Sequence, residues 1–223
     1  MPRITEIDAL RGIAIILMVI YHFFFDLNYF GISSVDLGSL GFVILQRVTA
    51  FLFLFIVGVS LVLSEKNNKQ GYKRHAIRAA KLGAIAAVIT IATFIYPHDG
   101  FIKFGIIHLI ALSTLIAPFF FRFGSFNAVL GLIIIAAGWT VHYTDVDYLF
   151  WLGLIAPDYT ALDHYPLVPW FGIVLLGISA GRYAEKFRVK SDRLKELALL
   201  GRNSLLIYLV HQPVLVVLML LIK

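Results

Sequence analysis

Apolar runs close to the length that crosses a bilayer limit what this chain can fold into more than any other feature. Seven recur, at about 9–30, 41–63, 76–96, 102–121, 126–143, 166–184 and 197–222, the fifth being the shortest. A run of roughly 20 apolar residues crosses hydrocarbon as a helix, because in lipid the backbone must satisfy its own polar groups. Alternating polar and apolar residues are missing, and long runs of leucine, isoleucine, alanine and glycine argue against a membrane barrel. The chain is 60% hydrophobic and 14% charged, well above the roughly half-apolar make-up of a soluble domain. An all-α, polytopic membrane bundle of about seven transmembrane helices is expected, and without an internal linker, 1–223 reads as one domain. The first run is long enough to span and has no small-residue cleavage site, so it reads as a retained helix rather than a signal peptide. With no cysteine, disulfides, thiolate metal sites and cysteine nucleophiles are excluded.

The net charge of +6 does not point to nucleic acid, because the basic residues alternate sides. Arg3 and Arg11 precede the first run. Lys66, Lys69, Lys73, Arg74, Arg78 and Lys81 surround the second turn-back, Arg122 follows the fourth run, and Arg182 to Arg202 supply more between the sixth and seventh. The other side has Lys103 and Lys223, with Arg47 inside a run. Retention of lysine and arginine inside then puts the N-terminus in the cytoplasm and the C-terminus outside, as seven crossings require. This pattern suits a multi-pass protein of a prokaryotic cytoplasmic membrane. An outer segment, "TDVDYLFWLGLIAPDYTALDHYP", carries Asp145, Asp147, Asp158 and Asp163 among aromatics and is the candidate for contact with something outside. "GISAG", Gly177 to Gly181, has the small-xxx-small spacing of a close helix contact, within the bundle or between two protomers of a homodimer.

Within the first run, "LMVIYHFFFD" places a histidine and an aspartate one helical turn apart. Residues 11, 15, 18, 22, 26 and 29 fall along one side of a helix, so Arg11, His22, Asp26 and Tyr29 share a face. Arg11 would lie at the inner edge and His22 about 16 Å further in at 1.5 Å per residue. Asp26 is placed to hydrogen-bond a ring nitrogen of His22, which would fix the tautomer and stabilise the imidazolium. Ionisable groups inside a membrane are costly and mark function. Arg47, His108 and His211 fall at similar depth in other runs, and Ser204, Tyr208 and His211 make a second polar stripe. His75, His98, His142 and His164 sit in loops or at run ends, where exposed histidines are common. No two histidines share a helix at ligand spacing, so no metal is expected. A proton relay through Asp26, His22 and Arg47, in a transporter, and haem or quinone chemistry at two of His22, His108 and His211 are the rival readings.

"RITEIDALRGIAIILMVIYHFFFD", with Arg11 and His22 ten residues apart, resembles the first helix of the transmembrane acyltransferase superfamily, including its acyltransferase-3 and heparan-alpha-glucosaminide N-acetyltransferase branches. "FGIIHLIALS", "YPLVPWFGIVLLGISAG" and "LGRNSLLIYLVHQP" are similar to later segments of the prokaryotic short-chain branch of the latter. The resemblance implies transfer of an acyl group, acetyl above all, from cytoplasmic acyl-CoA to an amine or hydroxyl of a sugar or glycoconjugate at the outer side. By the resemblance Arg11 and His22 take the positions of the acyltransferase-3 arginine-histidine motif, and with the polar stripes the expectation is direct transfer with His22 as general base oriented by Asp26, Arg47 or His108 stabilising the oxyanion, and His211 in the same site. Arg11, Arg202 and Arg78, with Ser204 and Tyr208, would hold the CoA. In the lysosomal relative the active histidine lies in the loop after the first helix; the corresponding "GISSVDLGSL" has none.

Overall fold

The computed structural model describes residues 4–66, 71–138, 147–187 and 194–223. Asp145, His142, Lys69, Arg188, Lys190 and Arg193 lie outside the described residues. The described elements are helical: α1 (Thr5–Tyr29), α2 (Leu40–Glu65), α3 (Tyr72–Ile95), α4 (Ile106–Ile116), α5 (Asn127–Ala137), α6 (Leu167–Gly181), α7 (Lys195–Arg202) and α8 (Ser204–Ile222). A 3₁₀ stretch, Ala117–Phe126, joins α4 to α5, and a single bridge pairs Phe104 with His164.

Among the described residues, five stretches are long and apolar enough to cross a membrane: α1, α2, α3, Ile106–Ala137 and α8. α6 is apolar but has only 15 residues. The differences from the expected runs have local causes. The fourth and fifth runs join end to end through the 3₁₀ stretch, which breaks helical geometry at Gly124 (φ 60°). The seventh run divides at Asn203: its first residues belong to α7, which starts before the run and carries Lys195, Glu196 and Arg202. These apolar helices make the chain an integral membrane protein.

The chain forms two compact units, 1–56 with 185–223, and 57–184. In the first, Glu6 and Asp8 favour the N-terminus of α1, where backbone N–H groups are unpaired. Its end is set by Gly31 at φ 70°, with the Ile32 N–H on Leu27 O and the Gly31 N–H on Asn28 O, a Schellman closure that only a residue without Cβ takes easily. α1 packs on α7 and α8. Gly12 meets the backbone carbonyl of Leu197, and Gly201 meets that of Asp8, so two glycines let α1 and α7 touch backbone to backbone. Met18 and Ile15 are buried, whereas Ile13, Ile16 and Ile20 face outward with Leu206, Val214 and Val217 of α8. An aliphatic exterior and small residues between helices are what a lipid solvent selects.

In the second unit α3 packs on α4 and α5 on α6. Gly131 and Gly172 lie against each other's carbonyls. The small-residue motif 177–181 packs on the second half of α2, with Gly58 against Gly177 and Gly181 against Val59, so this close contact is made within the chain.

Candidate active site

The polar stripe of α1 meets the polar stripe of α8 inside the first unit. The His22 and His211 rings lie edge to face with centroids 4.9 Å apart, and Asp26, fully buried, accepts a 2.9 Å hydrogen bond from Gln212 Nε2. Asp26 therefore does not hold His22 as expected. In a helix the side chains lean back toward the N-terminus, and His22 Nδ1 reaches the Met18 carbonyl one turn earlier, at 2.9 Å. His211 Nδ1 does the same to the Tyr208 carbonyl at 2.6 Å. A carbonyl can only accept, so both rings carry their proton on Nδ1 and, when neutral, present an Nε2 lone pair. Three atoms of this group are buried without a partner: Asp26 Oδ2, His211 Nε2 and Gln212 Oε1. The two imidazoles touch, which leaves no gap for a macrocycle between them.

Fourteen residues before His22 on α1, the buried Asp8 carboxylate bridges two arginines. Oδ1 accepts from Arg11 Nη1 at 2.8 Å and Oδ2 from Arg202 Nε at 3.4 Å. The expected pair of anion-binding arginines is thus brought together, by a carboxylate that sequence reasoning did not include. Ser204 opens α8 beside this cluster in sequence, and Tyr208 lies one turn on, its ring 5.6 Å from that of His211.

Residues 3–213 match the family described as heparan-alpha-glucosaminide N-acetyltransferase, catalytic. The chain belongs to that family. No curated protein and no solved structure matches it. As a member of the heparan-alpha-glucosaminide N-acetyltransferase catalytic family, it is a membrane acyltransferase by lineage, and the match runs through both arginines and the whole α1–α8 polar group.

In this family member the other candidate residues are placed differently. His108 is a cap: its Nδ1 accepts the Gly105 N–H at 3.2 Å and its Nε2 meets Thr90 Oγ1 at 3.1 Å, while that hydroxyl donates to Ile102 O. With both nitrogens engaged at the start of α4, its ring has no free donor for an oxyanion. Arg47 sits on an exposed face of α2 with Val43, Ile44, Val48 and Phe51, a position from which a long cation can snorkel. Arg78 is exposed near the start of α3. His75, expected to be exposed, is buried and bonded to Glu65 at 2.8 Å, tying the end of α2 to the start of α3. His98 is exposed as expected.

Asp163, expected to face outward, instead accepts the Ile106 N–H at 3.1 Å and caps α4. Burial pushes its carboxyl up to about 6, against the lowering effect of that bond. His164, half-buried with Nδ1 3.1 Å from Tyr159 Oη, is lowered to about 4 by burial. Burial and then the Asp163 charge raise Tyr159 to about 12. Asp158 is exposed.

Gln212 and Asp8 were the functional candidates missed. Both carried a signal: Asp8 is three residues before Arg11 on the same stripe, and 208, 212, 215 and 219 fall along one face of α8, the face that buries Leu215 and Met219.

Proposed function

We propose that the chain is an acetyl-CoA-dependent acetyltransferase, and that transfer takes place at the His22, Asp26, His211 and Gln212 group. The observation that carries this is the pair of touching imidazoles, both fixed in the Nδ1–H tautomer by backbone carbonyls, inside membrane-crossing helices of a family whose members take acetyl groups from acetyl-CoA. An Nε2 lone pair is what a general base needs.

In this reading Arg11 and Arg202, brought together and aimed by Asp8, grip the CoA phosphates at the cytoplasmic edge, with Ser204 and Tyr208 along the path and Arg78 as a further basic residue for the phosphates. The separation of Arg11 and His22, about 16 Å along the helix, suits the pantetheine arm. His22 removes a proton from the amine or hydroxyl of a sugar or glycoconjugate as it attacks the thioester carbonyl. The new C–N or C–O bond forms, the C–S bond breaks, and the imidazolium returns the proton to the departing sulfur, releasing CoA thiol and an acetylated acceptor. Arg47, which would have to turn in from its exposed position on α2, is the remaining candidate for the oxyanion.

The topology we propose has seven crossings with the N-terminus in the cytoplasm, in a prokaryotic cytoplasmic membrane, and 1–223 acting as one family domain. The side-alternating charges support it. The test is release of CoA thiol from acetyl-CoA by purified protein. Acceptor-dependent release supports the reading; absence of release together with absence of stabilisation by acetyl-CoA overturns it.

A further inference from the structure

The unpartnered buried atoms of the group on α1 and α8 are all acceptors. Its geometry fixes this without reference to any ligand. A carboxylate accepts, so the Gln212 atom bonded to Asp26 Oδ1 is the amide nitrogen, and the amide oxygen must point elsewhere. Asp26 Oδ2 and Gln212 Oε1 are both buried and unpartnered. The His211 Nε2 lone pair is buried and unpartnered as well, and His22 presents its own Nε2 lone pair from the ring that His211 touches. Buried acceptors without donors lower stability, and native proteins keep them only where something else supplies the hydrogens.

We infer that Gln212 is a specificity-determining residue of this site: it locks Asp26 through its amide nitrogen and offers its amide oxygen to an N–H or O–H of the incoming acyl acceptor. The inference rests on the acetyl-transfer reading above and goes beyond it, since no role for Gln212 follows from the family match or from the polar stripes. Asp26 and Gln212 together give two oxygens for donor hydrogens, while the imidazole lone pairs face the proton that transfer must remove. An acceptor bearing one donor would satisfy one of these atoms; an acceptor with an amine and a neighbouring hydroxyl would satisfy more. The carbonyl end of acetyl-CoA brings no donor, so this wall discriminates for the acceptor and is indifferent to the thioester.

The test is steady-state kinetics of CoA-thiol release in detergent, with glucosamine, ethanolamine and glycerol as acceptor probes and acetyl-CoA as donor, comparing unmodified protein with Gln212→Met. Methionine keeps length and bulk and removes both amide functions. The expected result is a rise of at least about tenfold in KM for the best probe, with KM for acetyl-CoA unchanged within twofold, which is the effect of losing one discriminating hydrogen bond. A role confined to holding the helices together would change both KM values and thermal stability alike, and that result overturns the inference, as does an unchanged acceptor KM. Should Gln212→Met fail to fold, Gln212→Glu serves. Its introduced carboxyl, when protonated, can donate to Asp26 and still offer an oxygen, so acceptor KM should approach the unmodified value at low pH and rise as pH rises; a flat profile contradicts the assignment. Stabilisation by acetyl-CoA with no thiol release on any probe also overturns the inference while leaving donor binding standing. Absence of both stabilisation and release instead removes the acetyl-transfer reading on which it rests.

Discussion

Replacing Gly12 with alanine should damage the proposed anion grip of Arg11 and Arg202 from a distance. A methyl at this position would overlap the Leu197 carbonyl oxygen and lie 2.9 Å from its carbon, where ordinary contact begins at 3.4 Å. The obstacle is helix backbone, which cannot rotate aside, so relieving the overlap with the carbonyl oxygen requires α1 and α7 to part by about 1 Å or more at that point. Overpacking of this kind costs about 1–3 kcal/mol, and alanine returns up to about 1 kcal/mol of helix propensity, for a net loss of roughly 0–2 kcal/mol. The Asp8–Arg202 contact, at 3.4 Å, has no slack: any further separation takes it out of hydrogen-bond range. Arg202 would then lose its orientation while Arg11, on α1 with Asp8, keeps its own. In a thermal-shift titration with CoA, Gly12→Ala should lower the melting temperature of the ligand-free protein and weaken CoA about tenfold, removing about 1.4 kcal/mol of ligand stabilisation at saturating concentrations. Gly41→Ala is the control, since an added Cβ there meets open space. Unchanged CoA affinity in Gly12→Ala, with lowered stability, would refute the link between helix packing and the arginines.

His108→Ala should cost about 1–2 kcal/mol through the lost α4 cap and leave CoA stabilisation in place; loss of turnover in a fully stable variant would return His108 to the chemistry. The outer-loop pair should give opposite pH slopes in melting experiments. Between about 4 and 6 folded Asp163 holds a proton that the unfolded chain has released, so its contribution falls as pH rises; between about 4 and 6.5 folded His164 lacks a proton that the unfolded chain carries, so its contribution rises. His164→Gln should therefore lose stability from pH 4 to 6 and Asp163→Asn should gain it from pH 4 to 6.5. Slopes of the same sign would contradict the burial of these groups.

The stripe from Arg11 through His22 to Asp26 was legible because helical period and the cost of charge in lipid act on sequence alone. The partners within it were not. Asp26 one turn after His22 suggested a bond, but side chains lean toward the helix N-terminus, so His22 took the Met18 carbonyl and Asp26 was left for a residue 186 positions later. Gln212 carries no charge and gave no signal of expense, although it shares a face with Tyr208 and Leu215. The burial of His75 is not legible at a run end, because the sequence does not show what the neighbouring helix puts against it; here that is Glu65. The seventh run was read through Asn203 because hydropathy averages over the polar residues of α7. The family was legible from the order of its segments, and the match over residues 3–213 bears that out.

Acetyl transfer and CoA binding measured side by side in His22→Ala test the central claim most directly. If His22 is the base, turnover falls about 10²–10⁴-fold while stabilisation by CoA persists, because the arginines proposed to hold the phosphates are untouched. Near-normal turnover in that variant would contradict it.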